Sequence, residues 1–196
     1  MSEMSDLQEK LDLSEGKNRL NSWIAIAVAI ISVFMAVTKV KDDNLVQAML
    51  QAKSDAVDTW NEYQAEKIKQ HMAELGVNQV KALQVLAQGK DSSELLSQQK
   101  QYQDSITHYQ AEEDALAKKA KEFEKQYDDL NFRDDQFDLS DAILSISLAM
   151  LAITALTGKR KLFALAGLFA GFGLLMGLAG LMGLALHPTA LIKLLS

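Results

Sequence analysis

Three uninterrupted apolar stretches constrain this chain more than any other feature of its sequence. Residues 22–38, 142–158 and 162–186 contain no Asp, Glu, Lys, Arg or His. A bilayer core of roughly 30 Å needs about 20 apolar residues in helical form, with a lower limit near 17. The third stretch is apolar on every side and lacks the polar face of a helix in a globular protein. We therefore expect three transmembrane helices, at 22–38, 142–158 and 162–187.

The average composition conceals this division of the chain. Apolar residues make up 48% of the 196 residues and are concentrated in the three stretches, whereas residues 39–141 are rich in Gln, Glu, Asp and Lys. The chain has no cysteine, which excludes disulfides, thiolate metal sites and cysteine nucleophiles. The net charge of −6 argues against nucleic acid as a partner, because phosphate binding requires clustered Lys and Arg.

The loop between the second and third stretches predicts how the chain is oriented in the membrane. Short loops rich in Lys and Arg stay in the cytoplasm, so we expect this loop there, beside anionic lipid head groups. By alternation, residues 1–21 are cytoplasmic, whereas residues 39–141 and the tail at 188–196 lie on the far side. The loop consists of three consecutive cations, Lys159, Arg160 and Lys161.

The charge of residues 39–141 supports this orientation. The segment carries 13 basic and 21 acidic side chains, a net of −8, and segments that cross to the far side carry fewer cations. Lys39 and Lys41 oppose the assignment, because they flank the first span on its outer side. Two aspartates, however, follow them directly. We therefore expect residues 39–141 outside the cytoplasm.

Residues 39–141 are predicted to form two long helices. From Lys39 to Gly76, apolar residues recur at steps of three and four, and the only glycine is the last residue. Gly76 and Gly89 then bracket a candidate tip, and residues 91–94 have the pattern of a helix N-cap. Both helices start or finish at the same membrane face, so we expect an antiparallel hairpin. A two-helix hairpin buries little surface, which favours self-association.

The second of these helices carries a coiled-coil pattern. Its apolar positions alternate at steps of four and three over four heptads, and Glu113 occupies one position of this register. The chain is therefore predicted to be all-α, with three transmembrane helices and an extended antiparallel coiled-coil hairpin between the first and second. The positions of the pattern are Tyr102, Ile106, Tyr109, Leu116, Ala120, Phe123, Tyr127 and Leu130.

One face of the first hairpin helix combines aromatic and polar side chains. Residues three and four apart share a helical face, so these side chains are neighbours. A binding face for a ligand or partner is one interpretation. Packing of the aromatic rings against the second helix is the other, and we favour it. The residues concerned are Trp60, Tyr63, Gln64, Lys67 and His71.

The same stretch resembles a known family. Its W-x-x-Y-Q-A core, from Trp60 to Ala65, follows one apolar span and precedes two others. In this arrangement the chain is similar to an uncharacterised bacterial membrane family, domain of unknown function 4337, over nearly its whole length. The resemblance implies a protein of the inner membrane of Gram-negative bacteria or cyanobacteria, and it implies no activity.

No group of residues points to catalysis, to a cofactor or to a metal. The sequence has no phosphate-binding loop, no G-x-S-x-G elbow and no zinc-protease helix. His71, His108 and His187 lie far apart, and we expect surface histidines rather than metal ligands. Acidic pairs such as Asp134 and Asp135 lack the glycine turn of a calcium loop. We therefore expect no enzymatic activity.

A stripe of small residues marks the third span. Small residues let helices approach closely in lipid, where burial of apolar surface gives no net driving force. The stripe therefore predicts close packing on the other two spans, against another copy of the chain, or on both, since a three-helix protomer offers more than one face. We call it the small-residue stripe; it consists of Ala166, Ala170, Gly173, Gly177 and Gly180.

Two functions are compatible with these features. The first is a non-enzymatic, homo-oligomeric scaffold or adaptor of the bacterial inner membrane, whose periplasmic hairpin contacts further copies or an unidentified protein partner. The alternative is an oligomeric channel or transporter component with an apolar pore. The absence of ionisable residues from residues 22–38, 142–158 and 162–186 argues against the alternative, because ion and proton pathways usually contain them.

Overall fold

A computed structural model describes residues 2–86, 93–184 and 186, without the side chains of residues 2–7 and 9–14. In this part of the chain there are three α-helices and no strand. Each helix contains a stretch long and apolar enough to cross a membrane. The predicted all-α fold with three such helices is therefore confirmed. The helices are α1 (Ser2–Leu86), α2 (Ser93–Thr157) and α3 (Arg160–Met182).

Several predicted features lie outside the described residues. They are the tip glycine Gly89, the first two residues of the predicted cap at 91–92, His187 and the tail at 188–196.

The first helix continues from the first apolar stretch into the hairpin arm without interruption. Gly76, which we expected at the end of this helix, lies inside it, and α1 continues to Leu86. Glycine inside a helix costs roughly 0.5–1 kcal/mol relative to alanine. Here a Cβ atom on Gly76 would lie 2.8 Å from the ring of Tyr102, so glycine leaves room for that ring.

The connection between α2 and α3 is shorter than the predicted loop at 159–161. It consists of Gly158 and Lys159, and Arg160 and Lys161 belong to the first turn of α3. Gly158 has a φ of 65°, a left-handed conformation that favours glycine at the end of a helix. Its N–H donates to the carbonyl of Thr154 at 2.8 Å. All three predicted cations are exposed.

The chain divides into two compact units, Met1–Gln47 with Leu130–Ser196, and Ala48–Asp129. In the first unit, parts of α1, α2 and α3 pack side by side. Their shared core contains Ile24 and Ile31 of α1 and Leu151 of α2. Further buried members of the same cluster are Leu20, Leu144 and Ala166.

The outer surface of the first unit is apolar along the three spans. Only 17–33% of the residues in the apolar windows are buried, so most of their side chains face outward. In a soluble protein, exposed apolar surface of this extent is rare, whereas lipid is itself apolar. The distribution is that of a membrane protein. Exposed examples are Trp23, Ile30, Val33, Ile153, Leu168 and Leu175.

Buried serine hydroxyls connect α2 to α3 in the same unit. Ser147 Oγ donates to the carbonyl of Ala166, and Ser140 Oγ donates to that of Gly173, both at 2.8 Å. A serine inside an apolar bundle needs such a partner, since an unpaired hydroxyl would lose its hydrogen bonds to water. These two bonds therefore fix how α2 and α3 align.

The second unit is an antiparallel pair formed by α1 and α2. Trp60 Nε1 donates to Glu124 Oε1 at 2.9 Å, and Gln84 Nε2 donates to Gln99 Oε1 at 2.9 Å. Tyr102 lies against Gly76, between these two contacts. Residues that follow one another in α1 therefore meet α2 in reverse order, as an antiparallel hairpin requires.

The contact faces of the hairpin repeat at alternating steps of three and four in both helices. In α1 the buried positions include Ala52, Ala56 and Thr59, and the series continues at Ala73, Val77 and Val80. Such spacing keeps one face of each helix turned toward the other. In α2 the buried or half-buried positions are Ile106, Tyr109, Glu113, Leu116, Ala120, Phe123, Tyr127 and Leu130.

Candidate functional site

The small-residue stripe of α3 contacts the chain's own helices. A Cβ atom on Gly173 would lie 2.7 Å from Leu144, and one on Gly180 would lie 3.0 Å from the ring of Phe137. Ala166 is fully buried and Ala170 is half-buried. Of the two arrangements left open by the sequence, packing within the chain is the one that the structure contains.

A different pair of glycines lies on the exposed side of α3. Cβ atoms on Gly167 and Gly171 would meet nothing within 4 Å, and both residues are exposed. The two glycine pairs, Gly173 with Gly177 and Gly167 with Gly171, have the same four-residue spacing. Spacing alone therefore does not identify the pair that packs.

The predicted aromatic face of α1 is only partly directed at α2. Trp60 and Tyr63 are half-buried, and their rings form an edge-to-face pair with centroids 5.3 Å apart. Lys67 is half-buried with its ammonium 5.7 Å from the Tyr63 ring. Gln64 and His71, in contrast, are exposed.

Between Thr59 and Ala73, the half-buried positions are Trp60, Tyr63, Glu66, Lys67 and Gln70. Gln64 and His71 each lie one position after one of these residues, which rotates them about 100° around the helix from it. The sequence-based prediction placed Gln64 and His71 on this face because they lie four and eleven residues after Trp60. The pairing of α1 with α2 instead buries the small residues Ala52, Ala56 and Ala73, which let the two helices approach closely.

The predicted face of α2 lies against α1 for most of its length. Ile106, Tyr109, Leu116, Phe123 and Tyr127 are half-buried, whereas Tyr102 is 39% exposed over Gly76. Glu113 is half-buried in the same row, and its Oε1 atom is buried without a hydrogen-bond partner. The carboxylate therefore interrupts an otherwise apolar contact.

Sequence reasoning missed a second apolar row on α1. Ile68, Met72 and Leu75 are 60%, 65% and 68% exposed, and beyond the polar residue Gln79 two further leucines, Leu83 and Leu86, are 48% and 76% exposed. Ile68, Met72 and Leu75 are each offset by two residues from the half-buried or buried positions 66, 70 and 73, which places them about 200° around the helix from those positions. We call these five residues the outer apolar stripe. A search for a second series of three- and four-residue steps in the sequence would have found it.

The outer side of α2 is polar by comparison. Among the described residues of α2 up to Asp129, Leu96 and Tyr102 are the large apolar side chains that are exposed. Exposed lysines, aspartates and glutamates cover the remainder, such as Lys125 and Asp129, which pair at 2.9 Å. The hairpin therefore has one apolar outer side, on α1, and one charged outer side, on α2.

A shallow groove lies beside Trp60, between the two helices of the hairpin. Its volume is about 310 Å³, and Lys53, Tyr127 and Glu124 contribute to its walls. The Lys53 ammonium lies 5.2 Å from the centroid of the Tyr127 ring. Two contacts across the groove, the Trp60–Glu124 hydrogen bond and the Lys53–Tyr127 ring contact, link α1 to α2.

An acidic cluster, also missed by sequence reasoning, lies in the first unit just outside the first two spans. Lys39 Nζ bonds to Asp42 Oδ2 at 2.8 Å and lies 3.5 Å from Asp43 Oδ1. Asp42 is only 5% exposed, and its Oδ1 atom is buried without a hydrogen-bond partner. Asp134 and Asp138 of α2 complete the cluster, and each interacts with Asp42.

Two polar side chains of α2 bind carbonyls in the last turn of α3 and in the residues just after its end at Met182. Arg133 donates to the carbonyl of Gly180 from Nε at 3.3 Å and from Nη2 at 3.1 Å. Gln136 donates to the carbonyls of Leu184 and Leu186 at 2.8 and 2.5 Å. The final carbonyls of a helix lack partners inside the helix, so α2 supplies donors for the end of α3.

The described histidines do not form a metal site. His71 Nδ1 lies 3.1 Å from Glu74 Oε2, and the His108 ring contacts the ring of Tyr109. Among the described residues, no three His, Asp or Glu side chains are placed to hold a metal ion.

Residues 20–183 match the family model described as Domain of unknown function (DUF4337), and the chain belongs to this family. A comparison with curated proteins and a comparison with solved structures each found no match.

Proposed function

We propose that this member of the family is a non-enzymatic scaffold or adaptor that associates with further copies of itself in the bacterial inner membrane. The observation that carries the proposal is the outer apolar stripe. Several large apolar side chains exposed on one helix, outside the membrane-spanning stretches, are typical of interaction surfaces rather than of free surface. Association of the hairpins would turn this row into a coiled-coil interface.

Charge and spacing together favour a second copy of the chain as the occupant of the stripe. Two polar groups beside the stripe have partners within the chain, since Lys69 pairs with Glu66 at 2.6 Å and His71 Nδ1 lies 3.1 Å from Glu74 Oε2. Two copies can therefore approach along α1 without strong like-charge repulsion. In a two-fold pair, the same patch of each subunit meets its counterpart, and both copies carry the same three- and four-residue spacing.

The proposed assembly surface differs from the one expected from the sequence. The small-residue stripe of α3 is occupied by side chains of α1 and α2, because Gly177 faces Phe34 and Gly173 faces Leu144. It is therefore not available to another copy without unpacking the first unit. The outer apolar stripe needs no such rearrangement.

We propose that the hairpin lies in the periplasm and that Lys159, Arg160 and Lys161 lie in the cytoplasm. The exposure of all three cations supports this orientation, because basic residues beside a span are retained on the cytoplasmic side. Exposed cations at that surface also attract anionic lipid head groups, by about 1 kcal/mol for each Lys or Arg. The acidic residues 39–141 then face the periplasm.

The mass of the intact protein in lipid nanodiscs tests the self-association. We expect an oligomer for the wild-type chain and a smaller species when Ile68→Gln, Met72→Gln and Leu75→Gln are combined. The matched control combines Leu96→Gln, Ala111→Gln and Ala115→Gln, which add three glutamines to exposed positions of α2. The control should keep the wild-type mass.

A cross-linking experiment identifies the surface directly. The chain has no cysteine, so a single Leu75→Cys substitution provides the only thiol. In a symmetric pair we expect an intermolecular disulfide from Leu75→Cys and none from Ala115→Cys on the outer side of α2. A monomeric wild-type protein, or efficient cross-linking only through Ala115→Cys, would contradict the proposal.

A further inference from the structure

Asp42 of α1 is a buried acidic residue outside the predicted membrane spans. This aspartate lies on the face of α1 that turns toward α2, and its side chain is more than nine-tenths buried. Oδ2 accepts a hydrogen bond from Lys39, whereas Oδ1 is enclosed without a donor. A buried carboxylate oxygen without a donor is unfavourable, because it has lost its hydrogen bonds to water. Oδ1 of Asp42 therefore needs a hydrogen atom from a neighbouring group to form a hydrogen bond.

The carboxyl of Asp134 is a group that could supply this hydrogen. Its side chain is half-buried and in hydrogen-bonding contact with Asp42. Two ionised carboxylates offer four acceptor atoms and no donor, so they repel each other. A single proton on Asp134 supplies an O–H that can donate to Asp42 and removes one of the two charges. Short O–H···O⁻ bonds of this kind are among the stronger hydrogen bonds in proteins.

Among the described residues, the other charged groups that interact with the pair favour a retained proton or are already engaged. Lys39 neutralises Asp42 itself, and the Arg133 guanidinium is directed at the carbonyl of Gly180. On α3, the sequence from Leu162 to Met182 contains no titratable residue. The remaining charged groups near the pair are Asp43 of α1 and Asp135, Asp138 and Asp141 of α2.

We propose that Asp42 and Asp134 bind one proton between them, and that this acid–carboxylate pair joins α1 to α2 beside the membrane spans. The bound proton is the ligand of the site. At pH values at which the proton is bound, a hydrogen bond between the two carboxyl groups holds α1 and α2 together at this point. At higher pH, where the proton has dissociated, two negative charges face each other within the packed unit, and the contact between α1 and α2 weakens.

The electrostatic surroundings agree with this assignment. Burial is the largest cause that raises the pKa of Asp134, to about 7; the hydrogen bond to Asp42 is the second, and the charge of Asp138 adds to it. Burial and the charge of Asp42 also raise the pKa of Asp138. The hydrogen bond to Asp42 raises the pKa of Lys39 to about 12, so the lysine stays charged throughout the titration of Asp134.

The sign of the resulting pH dependence follows from linkage. The folded state binds the proton more tightly than the unfolded chain, in which the carboxyl has its ordinary pKa of 3.8. The stabilisation is therefore complete below 3.8 and is lost as the pH rises through about 7. The contact between α1 and α2 should respond to pH near neutrality, where ordinary aspartates do not titrate.

A metal ion is a less suitable ligand for the same cluster. Lys39 already occupies one oxygen of Asp42 with a positive charge, which a divalent cation would have to displace. No three carboxylates among the described residues converge at the distances that a metal needs. A proton requires only the two oxygens that the structure brings together.

Infrared difference spectroscopy of the full chain in lipid nanodiscs tests the proposal. We expect a C=O band of a protonated carboxylic acid that disappears as the pH rises through about 7. Asp134→Asn should remove this band and should also flatten the pH dependence of thermal unfolding between about pH 5 and about pH 8. The amide of this variant can still donate to Asp42. The control Asp129→Asn, on the exposed side of α2, should leave both measurements unchanged.

A second variant keeps the test decisive if Asp134→Asn does not fold. Asp42→Asn removes the charge that opposes ionisation of Asp134 and offers it an amide donor, so the band should titrate lower by about 1 pH unit or more. Absence of the band in the wild-type protein would overturn the proposal. A band that persists in Asp134→Asn, or that does not move in Asp42→Asn, would also overturn it.

Discussion

Gly177 of α3 faces the ring of Phe34 in α1 so closely that a Cβ atom at position 177 would lie 2.6 Å from Phe34 Cε1. The same Cβ atom would lie 2.7 Å from the hydroxyl of Ser140 in α2. A single glycine thus allows three helices to meet. Any side chain at this position must displace an aromatic ring or a buried hydroxyl.

We therefore predict that Gly173→Leu combined with Gly177→Leu destabilises the fold of the single chain. Overpacking of a close-packed interior typically costs about 1–3 kcal/mol at each site, and here helix α3 must also separate from α1 and α2. Thermal unfolding in detergent should show a lower midpoint for the double variant.

The matched control for this prediction is Gly167→Leu combined with Gly171→Leu. These glycines have the same spacing in the same helix, but nothing lies within 4 Å of their Cβ positions. The control should unfold at or above the wild-type midpoint, since leucine has the higher helix propensity. Equal destabilisation by both double variants would mean that α3 presents a different side to its neighbours.

A second prediction concerns Glu113, whose Oε1 atom is buried without a partner in the row of α2 that faces α1. Glu113→Leu removes this unpaired oxygen and adds apolar surface to the contact between Tyr109 and Leu116. We expect the variant to be more stable by about 1 kcal/mol or more. Chemical denaturation of the full chain in detergent measures the difference.

Glu112→Leu provides the control for Glu113→Leu. The neighbouring glutamate is exposed, so its replacement adds a leucine without filling the contact, and its denaturation midpoint should stay at the wild-type value. Because a polar group at one position of a helical contact often determines register, Glu113→Leu should also broaden the distribution of oligomer sizes. An unchanged midpoint would place Glu113 in water.

A third prediction concerns the hydrogen bond from Ser147 to the carbonyl of Ala166. Ser147→Ala removes a donor that is buried between α2 and α3. Interhelical hydrogen bonds in membrane proteins contribute on average about 0.6 kcal/mol, so we expect a loss of this order in unfolding free energy. Ser145→Ala, two residues away on the exposed side of α2, should have no measurable effect.

A fourth prediction concerns orientation in the membrane. A reporter that is active only in the periplasm should be active when fused at Gln88, and one active only in the cytoplasm should be active when fused near Lys159. The reason is the retention of the basic loop on the cytoplasmic side. Activity of the cytoplasmic reporter at Gln88 would reverse the assigned orientation.

The helical content and the three spans followed from local sequence patterns. Hydropathy located the spans because a helix needs about 20 apolar residues to cross a bilayer wherever it occurs in a fold. The steps between Tyr109, Leu116 and Phe123 likewise located the face of α2 that meets α1. Both signals depend on neighbours in sequence, and neither requires knowledge of the partner.

The end of α1 and the role of Gly76 were not predictable in the same way. A glycine near the end of a helical pattern indicates a possible helix end when it is considered in isolation. The structure instead carries α1 through Gly76, where the ring of Tyr102 takes the place of a side chain. The decisive contact comes from the other arm of the hairpin.

The sequence by itself determined which residues share a helical face, because the 3.6-residue repeat is a property of the local backbone. Only the tertiary structure decided what covers each face. It placed the small-residue stripe against Phe34 and Leu144, left the outer apolar stripe uncovered, and brought Asp42 to Asp134. The reason is physical: two apolar rows of one helix compete for the same partner, and the choice depends on how closely backbones and distant side chains can approach.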